Sequence, residues 1–476
     1  MQANILLLLH NKLNIFVMSV LNLQKLLMTL LIVAFSFESQ AWNEHPLLVY
    51  PSLSEMSEWK HFDKVEVKSL SKFLLENEQQ IEVFLTNQEL WSRQNLPNYK
   101  ACPEELAFKA TGNPDGILER FFNAIRVNPN IKTPLYLHLL PGQQPEERSM
   151  ADPTDITTLK DMGVMTQTQY VWLTEGELVL PLDVVATASD EPDYGFDLGL
   201  FEDNSTVYGE RYGFGKQPFG NPNLEYSSQA PFHMGFFHES KILYKFGPFL
   251  KHTFVDYRMF LYKSLSEFSF KSGEPYWGWR FMGWGMHYLG DVTMPYHSQP
   301  LPGVSVFKMI WINLKSVLGF KQSKTDAIQL VSNKHNVIEE FQWQVMRRAY
   351  NEQNWSHPIL TALKHPNEFV PFTDRFMVDN ASKGAVERAK AINKVLLNNI
   401  PKRFISDPSI EVNDLPELQN IVEVIRDEKG AEAVDAITIA IAERMKSLSM
   451  AMQSFMRSVL ENSGQQVNNK PSLSLL

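Results

Sequence analysis

The spacing of apolar residues predicts helices through most of the chain. Residues 55–125 mix polar and apolar positions at helical intervals, and residues 236–295 keep that period with many aromatic side chains. Between residues 325 and 460 the pattern is again helical, with a break around Ile405–Pro416. No internal repeat is present. The pattern therefore predicts a mainly α, multi-helix fold.

Two stretches depart from the helical pattern. In TQYVWLTEGELVLPLDVV (168–185), β-prone runs flank Glu175-Gly176, a pair suited to a tight turn. This predicts a small β-hairpin inserted in the helical fold. Residues 195–232 are rich in Gly, Pro, Asn and Tyr, which is typical of an ordered loop.

Composition allows a large folded core and restricts the partners. The chain has 476 residues, 44% of them hydrophobic, and carries 44 Lys and Arg against 54 Asp and Glu, a net charge of −10. An acidic balance argues mildly against wrapping of a polyanion, and we expect no nucleic-acid partner. Cys102 is the only cysteine, so no intramolecular disulfide can form.

The N-terminal segment has the features of an export signal. LLMTLLIVAFSFESQA (26–41) is an apolar run preceded by Lys25 and ending in Ser39-Gln40-Ala41, small residues of the kind read by a signal peptidase. The alternative is a membrane anchor, for which the run is short. We expect residues 1–41 to be a signal peptide, the protein to be secreted, and the mature chain to begin at Trp42.

Histidines and carboxylates recur at spacings that suit a metal site. His287 and Asp291 are four residues apart, on one face of a predicted helix, and Pro295 would end that helix and let His297 turn back. His335 and Glu339 repeat the spacing, while Glu340 lies off that face. Each pair alone is more typical of a surface salt bridge. Together, imidazole and carboxylate without thiolate indicate a catalytic metal site.

The stretch HYLGDVTMPYH (287–297) closely resembles the signature of the zinc-dependent phospholipase C family, which shares its fold with the fungal single-strand-specific nucleases. The spacing of His287, Asp291 and His297 matches without gaps. His335 and Glu339 match the His-x-x-x-Glu pair of the lipases rather than the His-x-x-x-Asp pair of the nucleases. The resemblance implies a catalytic domain of this type over residues 42–400, followed by a helical C-terminal extension over 401–476.

The resemblance also implies ligands near the start of the mature chain. Family members begin with a tryptophan whose α-amino nitrogen and carbonyl oxygen bind zinc, and cleavage after Ala41 would make Trp42 that residue. The family needs a histidine soon afterwards. His45 is the nearest candidate and His61 the alternative.

An aspartate and a histidine are still required between the N-terminus and the signature. Asp190 follows Ala-Ser in a context like that of the family, and Asp193 remains open. His233 lies a suitable distance before His287, and His238 remains open. Among family members, an aspartate corresponding to Asp190 has been considered as a general base.

Carried over, the resemblance implies three zinc ions that activate water for hydrolysis of a phosphodiester. Asp291 would bridge the first and third ions. The first ion would bind Asp190, His233, His287 and Asp291; the second His297, His335 and Glu339; the third Trp42 and His45.

The function implied is that of a secreted zinc metallohydrolase. It would cleave the glycerol-side phosphodiester bond of phospholipids such as phosphatidylcholine at a membrane surface, giving diacylglycerol and a phosphorylated headgroup. One alternative is a single-strand-specific zinc nuclease of the same fold. Another is a non-catalytic zinc-binding protein, although closed structural sites are usually rich in cysteine.

Two further predictions concern the substrate. Glu44, Tyr194 and Phe232 are candidates for a choline headgroup, with packing as the alternative. The segment FKMIWINLKSVLGFK (307–321) predicts an amphipathic helix that docks on lipid, with a core helix as the alternative. Its apolar stripe has Lys308 and Lys315 beside it and consists of Phe307, Ile310, Trp311, Leu314, Val317 and Leu318.

Overall fold

Helices dominate the computed structural model, which describes residues 44–160, 162–220, 226–320, 322–365 and 369–465. The protein is 62% helical with little sheet, which confirms the predicted mainly α class. The predicted signal peptide and Trp42 lie outside the described residues. Within the described ranges, no helix combines the length and apolarity needed to cross a bilayer.

The helices are numbered here in chain order. The first ten are α1 Pro46–Leu53, α2 Leu70–Glu76, α3 Glu78–Asn95, α4 Ile117–Ile125, α5 Pro153–Ile156, α6 Pro181–Ala188, α7 Val207–Arg211, α8 Ala230–His233, α9 Lys241–Phe246 and α10 Val255–Lys271. The following ones are α11 Pro275–Asp291, α12 Pro295–Ser298, α13 Val306–Val317, α14 Gln322–Asn351, α15 Pro358–Lys364, α16 Lys383–Asn399, α17 Lys402–Ile405, α18 Ile421–Lys429 and α19 Ala431–Asn462. A π-helical turn, Met377–Ser382, leads into α16.

The predicted β-hairpin is wrong. The strands are β1 Val65–Glu66, β2 Tyr136–Leu139, β3 Met150–Ala151, β4 Gln169–Trp172 and β5 Leu178–Val179. Strands β4 and β5 do form on either side of the turn, but β4 pairs antiparallel with β2 and β3, whereas β5 pairs antiparallel with β1. The turn itself bonds to the β1 segment, because the amide of Gly176 donates to the carbonyl of Val67 and the amide of Val67 donates to Glu177.

Helix α11 lies at the centre of the principal core. It packs against α10, α6 and α19, and every residue from Tyr276 to Asp291 is buried. The contact with α6 is especially close at Gly283, where a Cβ would lie 2.6 Å from the carbonyl oxygen of Val185. A glycine at this position lets the end of α6, and the turn that follows it, approach the helix that carries His287.

The C-terminal helix is part of the same core. Helix α19 packs against α1, α11, α15 and α16, and its apolar residues join the principal cluster of buried side chains. Residues beyond 400 are thus helical and share a core with the preceding helices. A catalytic domain that ends near residue 400 stays a prediction.

Candidate metal centre

His287 and Asp291 lie on one face at the end of α11, as predicted. Both side chains are fully buried, and Nε2 of His287 is 3.5 Å from Oδ2 of Asp291. The helix ends at Asp291 with a turn in which the amide of Met294 donates to the Asp291 carbonyl. Pro295 then begins the short helix α12, which returns His297 to the buried interior. The structure therefore has the local geometry that the Pro295 break predicted.

The first cluster consists of Asp193, His233, His287 and Asp291. Nδ1 of His233 is 2.9 Å from Oδ2 of Asp291 and 3.6 Å from Oδ1 of Asp193. Nε2 of His287 is 3.5 Å from the same Asp193 oxygen and 3.1 Å from Nδ1 of His233. Two overlapping groups of ligand atoms are thus close enough to hold an ion, His233 with His287 and Asp291, and His45 with Asp193 and His287.

The structure brings Asp193, and not Asp190, into a group of residues that could hold a metal ion. The carboxylate of Asp190 accepts hydrogen bonds from the backbone amide of His45 (2.9 Å) and the hydroxyl of Tyr194 (2.7 Å), so it faces the N-terminal segment. Asp190 immediately precedes a 3₁₀ turn, Glu191–Tyr194. Asp193 lies within this turn, which directs its carboxylate into the cluster. Arg280 of α11 fixes this turn by a buried ion pair with Glu191.

Hydrogen bonds on the far side of the imidazoles of His287 and His297 set the orientation of these two rings. Nδ1 of His287 lies 2.8 Å from the carbonyl oxygen of Ser189, and Nδ1 of His297 lies 2.9 Å from that of His233. A carbonyl can only accept, so both Nδ1 atoms carry the proton and both Nε2 lone pairs point into the site. Such partners fix the tautomer of a metal-binding histidine and raise its basicity.

His233 is oriented by a carboxylate instead. Its Nε2 lies 3.3 Å from Oδ2 of Asp197, which leaves Nδ1 directed at the first cluster. Asp197 is held by Arg258 (Nη2–Oδ1 2.6 Å) and accepts a hydrogen bond from the Tyr288 hydroxyl. Burial alone would raise the pKa of Asp197, but Arg258 and His233 outweigh it and lower that pKa. Sequence patterns do not single out Asp197, because it lies in a non-helical turn.

The second cluster consists of His297, His335 and Glu339. His335 and Glu339 are one turn apart on α14, with Nε2 and Oε1 2.6 Å apart but not aligned for a hydrogen bond. The ring of His297 meets that of His335 edge-on at 5.0 Å. Glu340, as predicted, stays outside and accepts a hydrogen bond from Gln344.

His45 brings the N-terminal segment against the first cluster. Its ring stacks on His287 at 4.2 Å, and its Nε2 lies 3.5 Å from Oδ1 of Asp291, the oxygen that faces away from His233. Gly290 makes room, because a Cβ there would lie 3.5 Å from His45 and 2.9 Å from Met452. His61, the alternative, is exposed. The carboxylate of Asp291 therefore faces His45 with Oδ1 and His233 with Oδ2.

Glu44 anchors the segment that carries His45. Its buried carboxylate contacts His138 (3.0 Å), Arg347 (2.9 Å) and the indole nitrogen of Trp343 (2.6 Å). A carboxylate with these partners is committed to structure and is not free for a choline headgroup. The other two headgroup candidates, Tyr194 and Phe232, are buried.

Burial and neighbouring charges shift the pKa values of the site residues, but not all in one direction. Burial raises the pKa of Asp291 and raises that of Glu339 to about 7. Burial, reinforced by neighbouring imidazoles, lowers the pKa of His45 and of His297. For His233 burial acts in the same direction, but Asp197 and Asp291 outweigh it and raise the pKa to about 10.

The ligand atoms satisfy a direct test of fit to metal ions. Among the described residues, buried ligand atoms without a hydrogen-bond partner are concentrated here, and each such atom ordinarily costs about 1–3 kcal/mol. Nitrogen and oxygen donors without thiolate suit a divalent ion, so the clusters could hold metal. The unpartnered atoms of the candidate ligands are Nδ1 and Nε2 of His45, Oδ1 of Asp193, Nε2 of His233, Oδ1 of Asp291, Nε2 of His297, Nδ1 and Nε2 of His335 and Oε1 of Glu339.

Among the other candidates, His238 lies apart from both clusters, with its Nε2 2.9 Å from the Val378 carbonyl. Trp42, the expected N-terminal ligand, lies outside the described residues. Comparison with known proteins finds no matching family, no similar curated protein and no similar solved structure. The function is therefore argued from the geometry of the site.

Proposed function

We propose that the protein is a secreted, zinc-dependent phospholipase C that hydrolyses the glycerol-side phosphodiester bond of phospholipids. The observation that carries the proposal is the convergence of the signature residues His287, Asp291 and His297 with separate partners. His233 and Asp193 meet the first two, while His335 and Glu339 meet the third. A spacing motif that arose by chance in a helical protein would not be expected to bring all these ligand atoms together.

The donor set supports zinc as the metal. Imidazole nitrogens and carboxylate oxygens without thiolate are the ligands of catalytic zinc sites. In this proposal the first cluster holds one ion and the second cluster another. His45 and Asp291 hold a third ion together with the N-terminal Trp42. When bound, zinc ions supply Lewis-acid chemistry that acidifies water and neutralises the charge of a phosphodiester.

The residues of the chain have three roles in this reaction. The clusters position the cations, and the Ser189 carbonyl, the His233 carbonyl and Asp197 keep the imidazoles in their binding tautomers. The general-base role that the resemblance implied for Asp190 moves to Asp193 in this proposal, because Asp193 has a buried oxygen without a hydrogen-bond partner. Asp190 instead fixes His45 through its backbone amide.

Two properties favour the lipase over the nuclease. Glu339, whose equivalent in the nucleases is an aspartate, lies beside His335 in the second cluster. The net charge of −10 does not suit a polyanionic substrate. A closed, non-catalytic zinc site is less favoured, because such sites are usually built from cysteine.

The test uses purified protein that begins at Trp42, incubated with phosphatidylcholine or with single-stranded DNA. We expect diacylglycerol and phosphocholine from the lipid, no cleavage of the DNA, and loss of lipid hydrolysis in a chelator that added zinc reverses. His287→Ala should abolish hydrolysis, whereas His252→Ala, which changes an exposed histidine, should not. Cleavage of DNA alone would replace the lipase by the nuclease, and no hydrolysis of either substrate would remove the enzyme proposal.

A further inference from the structure

Helix α13 presents its apolar face to solvent. Four large side chains at helical spacing are exposed: Phe307 (85%), Trp311 (56%), Leu314 (44%) and Leu318 (66%). The opposite face of the helix buries Met309, Ile312 and Ser316 against the protein. The two remaining members of the predicted stripe add little, since Ile310 is half-buried and the side chain of Val317 lies outside the described part. The alternative of a helix buried in the core is therefore excluded for this face.

The chain segment that contains this helix lacks acidic residues, whereas the chain as a whole is acidic. Residues 292–325 contain no aspartate or glutamate, although the chain has 54 of them. Lys308 and Lys315 flank the apolar stripe, and Nζ of Lys315 lies 5.7 Å from the centre of the Trp311 ring. Lysines beside exposed aromatic side chains can reach lipid phosphates while their stems stay on the apolar surface.

The helix is also joined to the candidate metal centre. It follows His297 along the chain and packs against α14, the helix that carries His335 and Glu339. It packs in addition against α9, where Ile242 and Phe246 are exposed one turn apart. The apolar surface formed by α13 and α9 is thus directly connected to elements that carry ligands of the second cluster.

We propose that α13 docks the protein on an anionic phospholipid surface. Phe307, Trp311, Leu314 and Leu318 enter the boundary between headgroups and acyl chains, while Lys308 and Lys315 contact phosphates. The choice of lipid as the partner rests on the proposed phospholipase activity. A second copy of the chain is a poorer occupant, because a stable dimer needs about 800 Å² and 20–30 residues from each partner. The apolar surface of α13 and α9 offers only six large side chains.

The test measures sedimentation with vesicles of equimolar phosphatidylcholine and phosphatidylglycerol, in a chelator so that no lipid is hydrolysed. Trp311→Ala with Leu314→Ala should weaken binding about tenfold or more. The matched control, Val207→Ala with Ile439→Ala, removes two exposed apolar side chains elsewhere and should bind as the wild type does. Lys308→Glu with Lys315→Glu should abolish the preference for these vesicles over pure phosphatidylcholine.

Two further measurements separate docking from catalysis and from assembly. Hydrolysis of monomeric short-chain phosphatidylcholine should be equal in the wild type and in the Trp311/Leu314 variant, and its absence in both would reject the phospholipase without affecting the binding result. Light scattering should find the same molecular mass for both proteins. Docking is overturned if the wild type does not bind vesicles, if the variant binds equally well, or if the substitutions act by dissociating a dimer.

Discussion

The two clusters of candidate metal ligands are assembled in different ways. In the first, Asp193, His233, His287 and Asp291 come from a 3₁₀ turn, from α8 and from α11, and tertiary packing brings them together. In the second, His335 and Glu339 lie one turn apart on α14, and only His297 comes from elsewhere. The first site therefore depends on the whole fold, whereas two of the three ligands of the second depend on one helix.

The clusters differ as well in what holds their imidazoles. In the first cluster, Nδ1 of His287 has the Ser189 carbonyl as its far-side partner, and Nε2 of His233 lies 3.3 Å from Asp197 in a charge contact without hydrogen-bond alignment. Within the second, His297 has such a partner, but neither ring nitrogen of His335 has one among the described residues, and its ring instead stacks on Tyr296 at 5.3 Å. Because such partners strengthen metal binding, we expect the first cluster to bind metal more tightly than the second.

Asp291→Asn should have the largest effect, because Asp291 belongs to the first cluster and its Oδ1 also faces His45. We expect lipid hydrolysis to fall about 10³-fold or more, equivalent to about 4 kcal/mol, and metal content to drop by more than one ion per chain. Asp435→Asn is the control, because Asp435 is exposed on α19 and belongs to none of the groups that could hold a metal. Full activity in Asp291→Asn would refute the assignment of this carboxylate.

Glu339→Gln should separate the clusters. The substitution removes a charged ligand from the second cluster only, so we expect loss of one metal ion and a fall in hydrolysis of about 10²-fold, with the first cluster still loaded. Glu340→Gln, one residue along and outside the cluster, is the matched control. If Glu339→Gln emptied both clusters at once, they would form one cooperative site, and the two clusters would not bind metal independently.

Asp197→Asn tests whether the partner of His233 strengthens the first cluster. We expect metal affinity there to fall about 10- to 100-fold, as is usual when such a partner is altered, while the second cluster serves as the internal control. Competition with a coloured chelator measures both affinities. Circular dichroism must first establish folding, because Arg258 also loses a charged partner. An unchanged affinity would mean that packing alone orients His233.

Asp190→Ala should have the smallest effect on metal and a measurable one on stability. It leaves the buried amide of His45 without an acceptor, which we expect to lower the free energy of unfolding by about 1–3 kcal/mol. Asp193→Ala should have the larger effect on metal content, releasing metal from the first cluster, and the smaller effect on stability. Urea unfolding of the metal-free variants, together with their metal content, distinguishes the two aspartates; the opposite pattern would restore Asp190 as the ligand.

Features that depend on local structure were predicted from the sequence, whereas features that depend on tertiary contacts were not. The pairs His287–Asp291 and His335–Glu339 were predicted because helical periodicity alone places residues four apart on one face. Asp190 was preferred over Asp193 because it follows Ala-Ser in a context like that of the family. No local pattern reveals that the His45 amide and the Tyr194 hydroxyl bond to its carboxylate. The hairpin prediction failed for a similar reason, since the partner of β5 is β1, more than a hundred residues earlier.

The position of the C-terminal helices lay beyond sequence reasoning as well. The break near Ile405–Pro416 was predicted from local composition, and α17 does end at Ile405. The packing of α19 against α1 and α11 depends on contacts between segments hundreds of residues apart, which periodicity does not report. In the same way, periodicity identified the apolar stripe of α13 but could not decide whether it faced the core or solvent.

The decisive measurement is elemental analysis of the purified protein. We expect close to three zinc ions per chain beginning at Trp42, with this stoichiometry lost in a chelator and regained when zinc is added. A correctly folded, catalytically active preparation that contains no stoichiometric transition metal would contradict this expectation.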